Sequence, residues 1–151
     1  MYLESSYLNN IKNERIKEFT RLALEKYGSS IKLKKSNKVA DIVWKKFITL
    51  GYITPEVQQQ FVDMTISAAL LYNLFYRKED ITTILKHRVK LKEIREESGL
   101  DERIAILIYE LIEGQLGDTH SIQKFKPAPN SPGYTLAEAI WYVDIYPFIE
   151  E

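Results

Sequence analysis

The sequence predicts an all-α fold, a single-domain bundle of about six helices. The 151 residues suit one domain, and apolar side chains recur at helical spacing over most of the chain. No stretch alternates polar and apolar residues strongly enough to indicate a sheet. Glycine, proline and capping residues then mark where each predicted helix begins and ends.

Glycines end the first two predicted helices. The first spans about residues 6–27 and ends before Gly28, a natural left-handed terminator. A short basic loop is expected at 29–35. The second helix spans about 38–50, and the pair Ser36-Asn37 can cap its start.

The third helix is predicted to lie at the centre of the bundle. It begins at Thr54-Pro55, a capping hydroxyl before a proline at the first helical position, and reaches about Phe75. The stretch 64–75 is apolar nearly all round, so this helix has no face suited to solvent.

Two aspartates begin the next two predicted helices. Asp80 caps a fourth helix at about 81–97, which Gly99 stops, and Asp101 caps a fifth. The run 104–112 of the fifth is apolar on most faces, so we expect it to be buried. The inner side of the fourth is predicted to carry Ile84, Leu85, Val89, Leu91 and Ile94.

The helical pattern breaks after Gly117. Residues 118–134 contain three prolines and cannot be regular helix, so they form a long loop that is either functional or disordered. Thr135 and Glu138 then make a capping box that begins a last helix, which ends at about Tyr146.

Composition excludes several classes of site. The chain has no cysteine, which excludes disulfides and thiolate metal sites, and only two histidines, His87 and His120. The first residues do not resemble a signal peptide, and no apolar run approaches the roughly 20 residues of a membrane helix. We therefore expect a cytoplasmic protein with no membrane partner.

Charge is unevenly spread along a chain whose net charge is zero. Residues 1–50 carry 11 basic and 5 acidic side chains, whereas residues 101–151 carry 3 and 9. The gradient could steer an anionic ligand to the basic end, although solvated helix faces explain it as well. Zero net charge weighs against binding of bulk DNA or RNA.

One segment of the third helix carries a family resemblance. The run Ser67-Ala-Ala-Leu-Leu-Tyr-Asn-Leu74 resembles the motif of HD-domain phosphohydrolases, in which a buried helix ends in small and aliphatic residues followed by a metal-binding His-Asp pair. Here Tyr72 stands at the histidine position and Asn73 at the aspartate position. The resemblance implies an HD-like fold.

Two other segments extend the resemblance over residues 30–146. The stretch 38–44 is similar to the helix that carries the family's first histidine, but it contains no histidine. The stretch 141–144 looks like the last helix of the family, and Asp144 would be its metal-binding aspartate. The resemblance thus divides the chain into an N-terminal helix (1–30) and an HD-like core (31–146).

The segments 112–117 and 127–133 further resemble small HD-like proteins of bacteriophages and mobile elements. The cytoplasm would then be that of a host cell.

The substitutions argue against metal hydrolysis. A hydrolytic site needs imidazole and carboxylate ligands and an open position for water. Neutral tyrosine is a poor donor because its pKa lies near 10, and asparagine brings no charge. We therefore expect no catalytic residue, no metal and no cofactor, with the former metal pocket kept for binding.

The predicted ligand-binding residues combine that pocket with nearby bases. For each of them an ordinary core or surface role is the alternative interpretation. They are Tyr72, Asn73, Tyr76, Arg77, His87, Arg88, Glu113, Gln115 and Asp144.

Three functions follow as hypotheses. The first is a catalytically impaired HD-like domain that binds a small phosphorylated ligand or nucleotide, such as a phage-encoded sponge or regulator of host signalling. The second is a protein-interaction module that inhibits a host protein and exposes an apolar patch. The third is a residual phosphohydrolase using Asp144, Glu113 and His87. A homodimer is compatible with each.

Overall fold

In the part of the chain that the computed structural model describes, five α-helices follow a short 3-10 helix. The structure describes residues 6–27, 30–50, 56–75 and 81–113, together with Leu136 and Ala139. The side chains of residues 6, 30–33, 47–50, 56–58, 73–75, 81–87 and 113 lie outside the description.

The order of elements follows the predicted order of helices. The 3-10 helix is Ser6–Asn10, and the α-helices are α1 (Glu14–Tyr27), α2 (Ser30–Leu50), α3 (Glu56–Phe75), α4 (Ile81–Ser98) and α5 (Glu102–Glu113). No strand occurs among the described residues, so the all-α prediction is confirmed. Leu136 and Ala139 are also helical and buried, whereas the rest of the predicted last helix and the 118–134 loop lie outside the described residues.

The predicted first helix is in fact two elements. The chain leaves the 3-10 helix at Asn10, and α1 begins only at Glu14. Asn13 causes the new start, because its side-chain oxygen accepts the backbone N–H groups of Arg15 and Ile16, both at 3.0 Å. This is the bonding of a helix N-cap, which satisfies donors that have no partner within the helix.

The predicted basic loop at 29–35 was wrong from Ser30 onward. α2 is continuous from Ser30 to Leu50, and Ser36 is buried inside it instead of capping its start. The physical reason is that lysines are good helix formers and the stretch contains neither glycine nor proline. The run of basic residues therefore does not interrupt the helix.

α3 is the central helix, as predicted. Every residue from Val62 to Leu71, and Tyr72 after them, is buried. α3 packs most extensively against α2 and also contacts α5 and α1, while α1 packs against α4. Among the described residues, no helix is both long and apolar enough to cross a membrane.

A buried carboxylate fixes where α1 meets α3. Asp63, only 2% exposed, accepts the backbone N–H groups of Lys12 and Asn13 at 3.0 Å each. The side-chain amide of Gln59 donates a third bond at 2.9 Å. Because these bonds replace water around the charge, Asp63 can stay in the core and hold the chain entering α1 against α3.

Gly99 turns the chain between α4 and α5. Its φ is +75°, and its N–H donates to the carbonyl of Glu96 at 3.3 Å, while Leu100 donates to the carbonyl of Arg95 at 3.2 Å. These bonds define a Schellman ending, in which glycine tolerates the left-handed backbone. The guanidinium of Arg15 donates to the carbonyl of Ser98 at 3.1 Å, so α1 also contacts this turn.

The predicted cap of α5 is confirmed, but the predicted burial of α5 on most of its faces is not. The side chain of Asp101 accepts the N–H of Arg103 at 2.8 Å. Ile106 and Leu107, however, are each 44% exposed. On α4, Leu91 and Ile94 are buried as predicted, whereas Val89 is 61% exposed. The helices of the described part cover only one side of α4 and α5, and a largely apolar sequence does not reveal which side.

Replacing Asp63 tests the contact between α1 and α3. Asp63→Ala leaves two backbone N–H groups and an amide without their acceptor, and we expect the free energy of unfolding to fall by about 2–3 kcal/mol. Urea denaturation followed by circular dichroism measures it. The control Glu93→Ala, at an exposed site on α4, is expected to leave stability unchanged. Equal effects of the two variants would contradict the role of Asp63.

Replacing Gly99 tests the turn before α5. Gly99→Ala forces a side chain onto a backbone at φ +75°, and we expect a cost of about 1–2 kcal/mol in denaturation. The added Cβ would also lie 2.6 Å from the Arg15 guanidinium, which can swing away. We therefore expect the same cost in an Arg15→Ala background. A cost that vanished there would assign the strain to the contact with Arg15 instead.

Candidate functional site

The position of the motif tyrosine is clear. Tyr72 lies in the last part of α3 with none of its side chain exposed. Asn73 follows it in the same helix, but its side chain lies outside the description. The phenol at the histidine position of the motif is therefore enclosed by protein.

The other predicted site residues divide into two groups. His87 and Arg88 lie on α4 and Glu113 ends α5, and of these three only the side chain of Arg88 is described, as exposed. The remaining four lie outside the described residues, so their convergence with Tyr72 stays a prediction. They are Tyr76, Arg77, Gln115 and Asp144.

A metal site is expected where a group of at least three histidine, aspartate or glutamate side chains comes close together. Among the described residues, no three histidine, aspartate or glutamate side chains come together in such a group. The alternative hydrolytic set of Asp144, Glu113 and His87 lies outside the described side chains and stays a prediction.

A cluster of hydrogen-bond donors lies where α4 meets α5. Arg88 and Arg95 are seven residues apart on α4, which places them two turns apart on the same face, about 10.5 Å along the axis. Tyr109 of α5 lies within electrostatic range of both guanidinium groups, whose positive charges act to lower its pKa. We call these three side chains the donor cluster.

Tyr109 is the unusual member of the donor cluster. Its hydroxyl is buried and has no hydrogen-bond partner among the described residues. Its ring packs against that of Phe19 on α1, with ring centres 6.4 Å apart and planes tilted by 47°. A buried polar group without a partner is rare and costs stability, so it calls for an explanation.

The protonation of Tyr109 follows from burial more than from charge. Removal from water raises the pKa of Tyr109 to about 12, while the charges of Arg95 and Arg88 oppose that rise and the carboxylate of Glu102 adds to it. At neutral pH the phenol therefore keeps its proton and can donate a hydrogen bond.

Arg95 is held by the turn that ends α4. Its guanidinium donates to the carbonyl of Leu100 at 3.2 Å and lies 3.8 Å from the carboxylate of Glu96. Its side chain is 20% exposed, so it is accessible while its position is restrained. Guanidinium groups have no acceptor atoms, and they match the geometry of phosphate and carboxylate oxygens. The donor cluster is thus suited to an anion.

Other polar clusters in the described part satisfy one another. The hydroxyl of Thr20 lies 2.7 Å from that of Ser67 and donates to the carbonyl of Ile16, all within the core. Tyr7 donates to the carboxylate of Asp41, which also pairs with Lys45 at 2.9 Å. These contacts join helices and leave little capacity for a ligand.

Sequence reasoning found one member of the donor cluster and missed two. Arg88 was predicted as a phosphate contact. Arg95 could have been found from its spacing of seven residues to Arg88, which is two helical turns. Tyr109 lies within an apolar run and gave no signal, because only the packing of α5 against α1 and α4 shows that its hydroxyl lacks a partner.

Searches of protein-family models, of curated proteins and of solved structures find no match to this chain. The resemblance to HD-domain proteins therefore stays a prediction that rests on the sequence segments 38–44, 67–74 and 141–144. What the chain binds has to be inferred from its own geometry.

Two tyrosine hydroxyls allow a matched test of the donor cluster. We expect Tyr109→Phe to raise the free energy of unfolding by about 1 kcal/mol, since it removes a buried hydroxyl that lacks a partner. We expect Tyr7→Phe to lower it by about 1 kcal/mol, since it removes the bond to Asp41. Both values come from urea denaturation without ligand. A clear loss of stability in Tyr109→Phe would show that its hydroxyl is already bonded.

Proposed function

We propose that this chain binds a small phosphorylated ligand, of which a nucleotide is the expected class, without hydrolysing it. One observation carries the proposal: two arginines on one face of α4 lie within electrostatic range of a buried tyrosine hydroxyl that has no partner among the described residues. Such a hydroxyl destabilises the free protein, and a bound acceptor would remove that cost.

The donor cluster has the chemistry that phosphate needs. Arg88 and Arg95 carry permanent positive charge, and each offers a fork of N–H donors that can bond two oxygens of one phosphate. The neutral hydroxyl of Tyr109 adds a donor in a drier environment, where a hydrogen bond to an anion is stronger than in water. The nearby carboxylate of Glu102 repels an anion, so a phosphate would have to lie closer to the arginines than to Glu102.

The spacing of the arginines is compatible with a ligand that has one phosphate or several successive phosphates. Their backbones are separated by about 10.5 Å along α4. Long side chains allow both guanidinium groups to turn toward one phosphate or to contact successive ones. The restrained Arg95 supplies a fixed contact, and the exposed side chain of Arg88 supplies a second positive charge.

Binding without hydrolysis is supported by the end of α3. Tyr72 stands at the position that the resemblance assigns to the metal-binding histidine, and its side chain is fully buried. A hydrolytic metal site instead needs a position that is open to water. If the phage-type resemblance holds, the chain would act by sequestering a phosphorylated signalling molecule of the host. The protein would then be a nucleotide sponge or regulator.

A ligand panel with matched variants tests the proposal. Inorganic phosphate, pyrophosphate and common nucleotides are titrated by calorimetry and thermal denaturation, and a ligand at 100 times its dissociation constant should add about 2.7 kcal/mol of stability. We expect Arg88→Ala and Arg95→Ala each to weaken binding by about tenfold or more. Tyr109→Phe should weaken binding while leaving the free protein at least as stable.

Arg21→Ala is the control because it removes the same charge from α1, where Arg21 pairs with Glu18 and Glu25. Equal losses in Arg21→Ala and Arg88→Ala would show only a general charge effect. Failure of the whole panel to bind would overturn the proposal. Manganese-dependent release of phosphate that is lost in Asp144→Ala would instead overturn its non-hydrolytic part.

A further inference from the structure

The outer face of α5 differs from an ordinary solvated helix face. At about 100° of rotation per residue, four exposed residues fall within a sector of about 100°, opposite the buried residues Ala105, Ile108 and Ile112. The four are Arg103, Ile106, Leu107 and Glu110. We call this sector the outer α5 face.

The centre of the outer α5 face is apolar. Ile106 and Leu107 are adjacent, and each is 44% exposed, although such side chains are usually buried. Two neighbouring exposed aliphatic side chains with charged residues on either side resemble the core and rim of an interface. The face is therefore suited to burial against another surface.

Charge along this face is arranged so that it complements itself. Arg103 precedes the apolar pair by one turn and Glu110 follows it by one turn. The side chain of Arg103 is 92% exposed and has one loose contact, at 3.9 Å, with the carboxylate of Asp101. Arg103 therefore keeps donors available to a partner.

A second copy of the helix fits this pattern in one orientation. If two α5 helices run antiparallel about a two-fold axis between Ile106 and Leu107, Arg103 of each copy faces Glu110 of the other. The same axis places Ile106 against Leu107 of the other copy. Parallel helices in register would instead place like charges side by side, which is unfavourable. The requirement for a self-complementary patch in a two-fold dimer is thus met.

We propose that the outer α5 face is a self-association surface, on which two copies of this chain pair through antiparallel α5 helices. The twelve residues of α5 extend about 18 Å, so this face alone buries less than the roughly 800 Å² per partner of a stable interface. The dimer is therefore weak and depends on protein concentration. Tyr109 lies about a third of a turn from the middle of the outer α5 face, so the donor cluster is not part of the dimer contact.

Sedimentation equilibrium over about a hundredfold range of protein concentration tests the pairing. We expect the wild-type chain to shift from monomer to dimer. Ile106→Lys should raise the dimer dissociation constant by at least about tenfold, because it places a charge in the apolar centre. Val89→Lys is the matched control, since Val89 is an exposed aliphatic residue on α4 and its replacement should leave the dimer unchanged.

Charge reversal tests the orientation. Arg103→Glu alone and Glu110→Arg alone each place two pairs of like charges in the interface, and each should weaken the dimer by about tenfold or more. An equal mixture of the two variants should form a mixed dimer of near wild-type affinity, because one of its pairs keeps the wild-type signs and the other is rebuilt with its signs exchanged. The double variant Arg103→Glu/Glu110→Arg should also dimerise like wild type.

Three results would overturn the proposal. The first is a wild-type chain that stays monomeric over the whole concentration range. The second is a dimer that Ile106→Lys does not weaken, which would place the interface elsewhere. The third is failure of the mixed variants to associate, which would exclude the antiparallel pairing. Circular dichroism of each variant checks that it is folded, as expected for substitutions at exposed positions.

Discussion

The bonds that Asp63 accepts from the chain before α1 are the constraint on which the rest of the bundle depends. A carboxylate that is 2% exposed has lost its water, and three N–H donors replace that water at 2.9–3.0 Å. Two of the donors belong to the backbone, so they fix the main chain of Lys12 and Asn13 directly. Because Asn13 then caps α1, the start and direction of α1 are set by a residue of α3.

α1 carries this constraint to the other side of the bundle. Thr20 meets Ser67 of α3 through a buried hydroxyl pair, so the two helices stay in register beyond Asp63. Arg15 reaches the carbonyl of Ser98 and Phe19 packs on the ring of Tyr109. The turn from α4 to α5, and with it the spacing of Arg95 and Tyr109, is therefore held by contacts that begin at the buried carboxylate.

Two kinds of hydroxyl in the described part bear on function. Those of Thr20 and Ser67 are bonded to each other, and that of Tyr7 is bonded to Asp41, so each adds to stability. That of Tyr109 has no such partner among the described residues and subtracts from it. A stability cost beside two arginines is typical of a binding site, because residues arranged for a ligand are often unsatisfied without it.

The sequence by itself determined the all-α class, the central position of α3, the bounds of α3 and α4 to within about two residues, and the start of α5. These features depend on local spacing and on capping residues such as Asp101 and Gly99, whose effects act within a few residues. The helix over 30–37 also follows from local propensity, which the run of lysines does not interrupt. Only the tertiary structure decided that Ile106 and Leu107 face outward and that Tyr109 lies within electrostatic range of Arg88 and Arg95. The apolar content of a helix indicates how much of its surface is favourably buried. Its packing neighbours decide which side is covered and which hydroxyl lacks a hydrogen-bond partner.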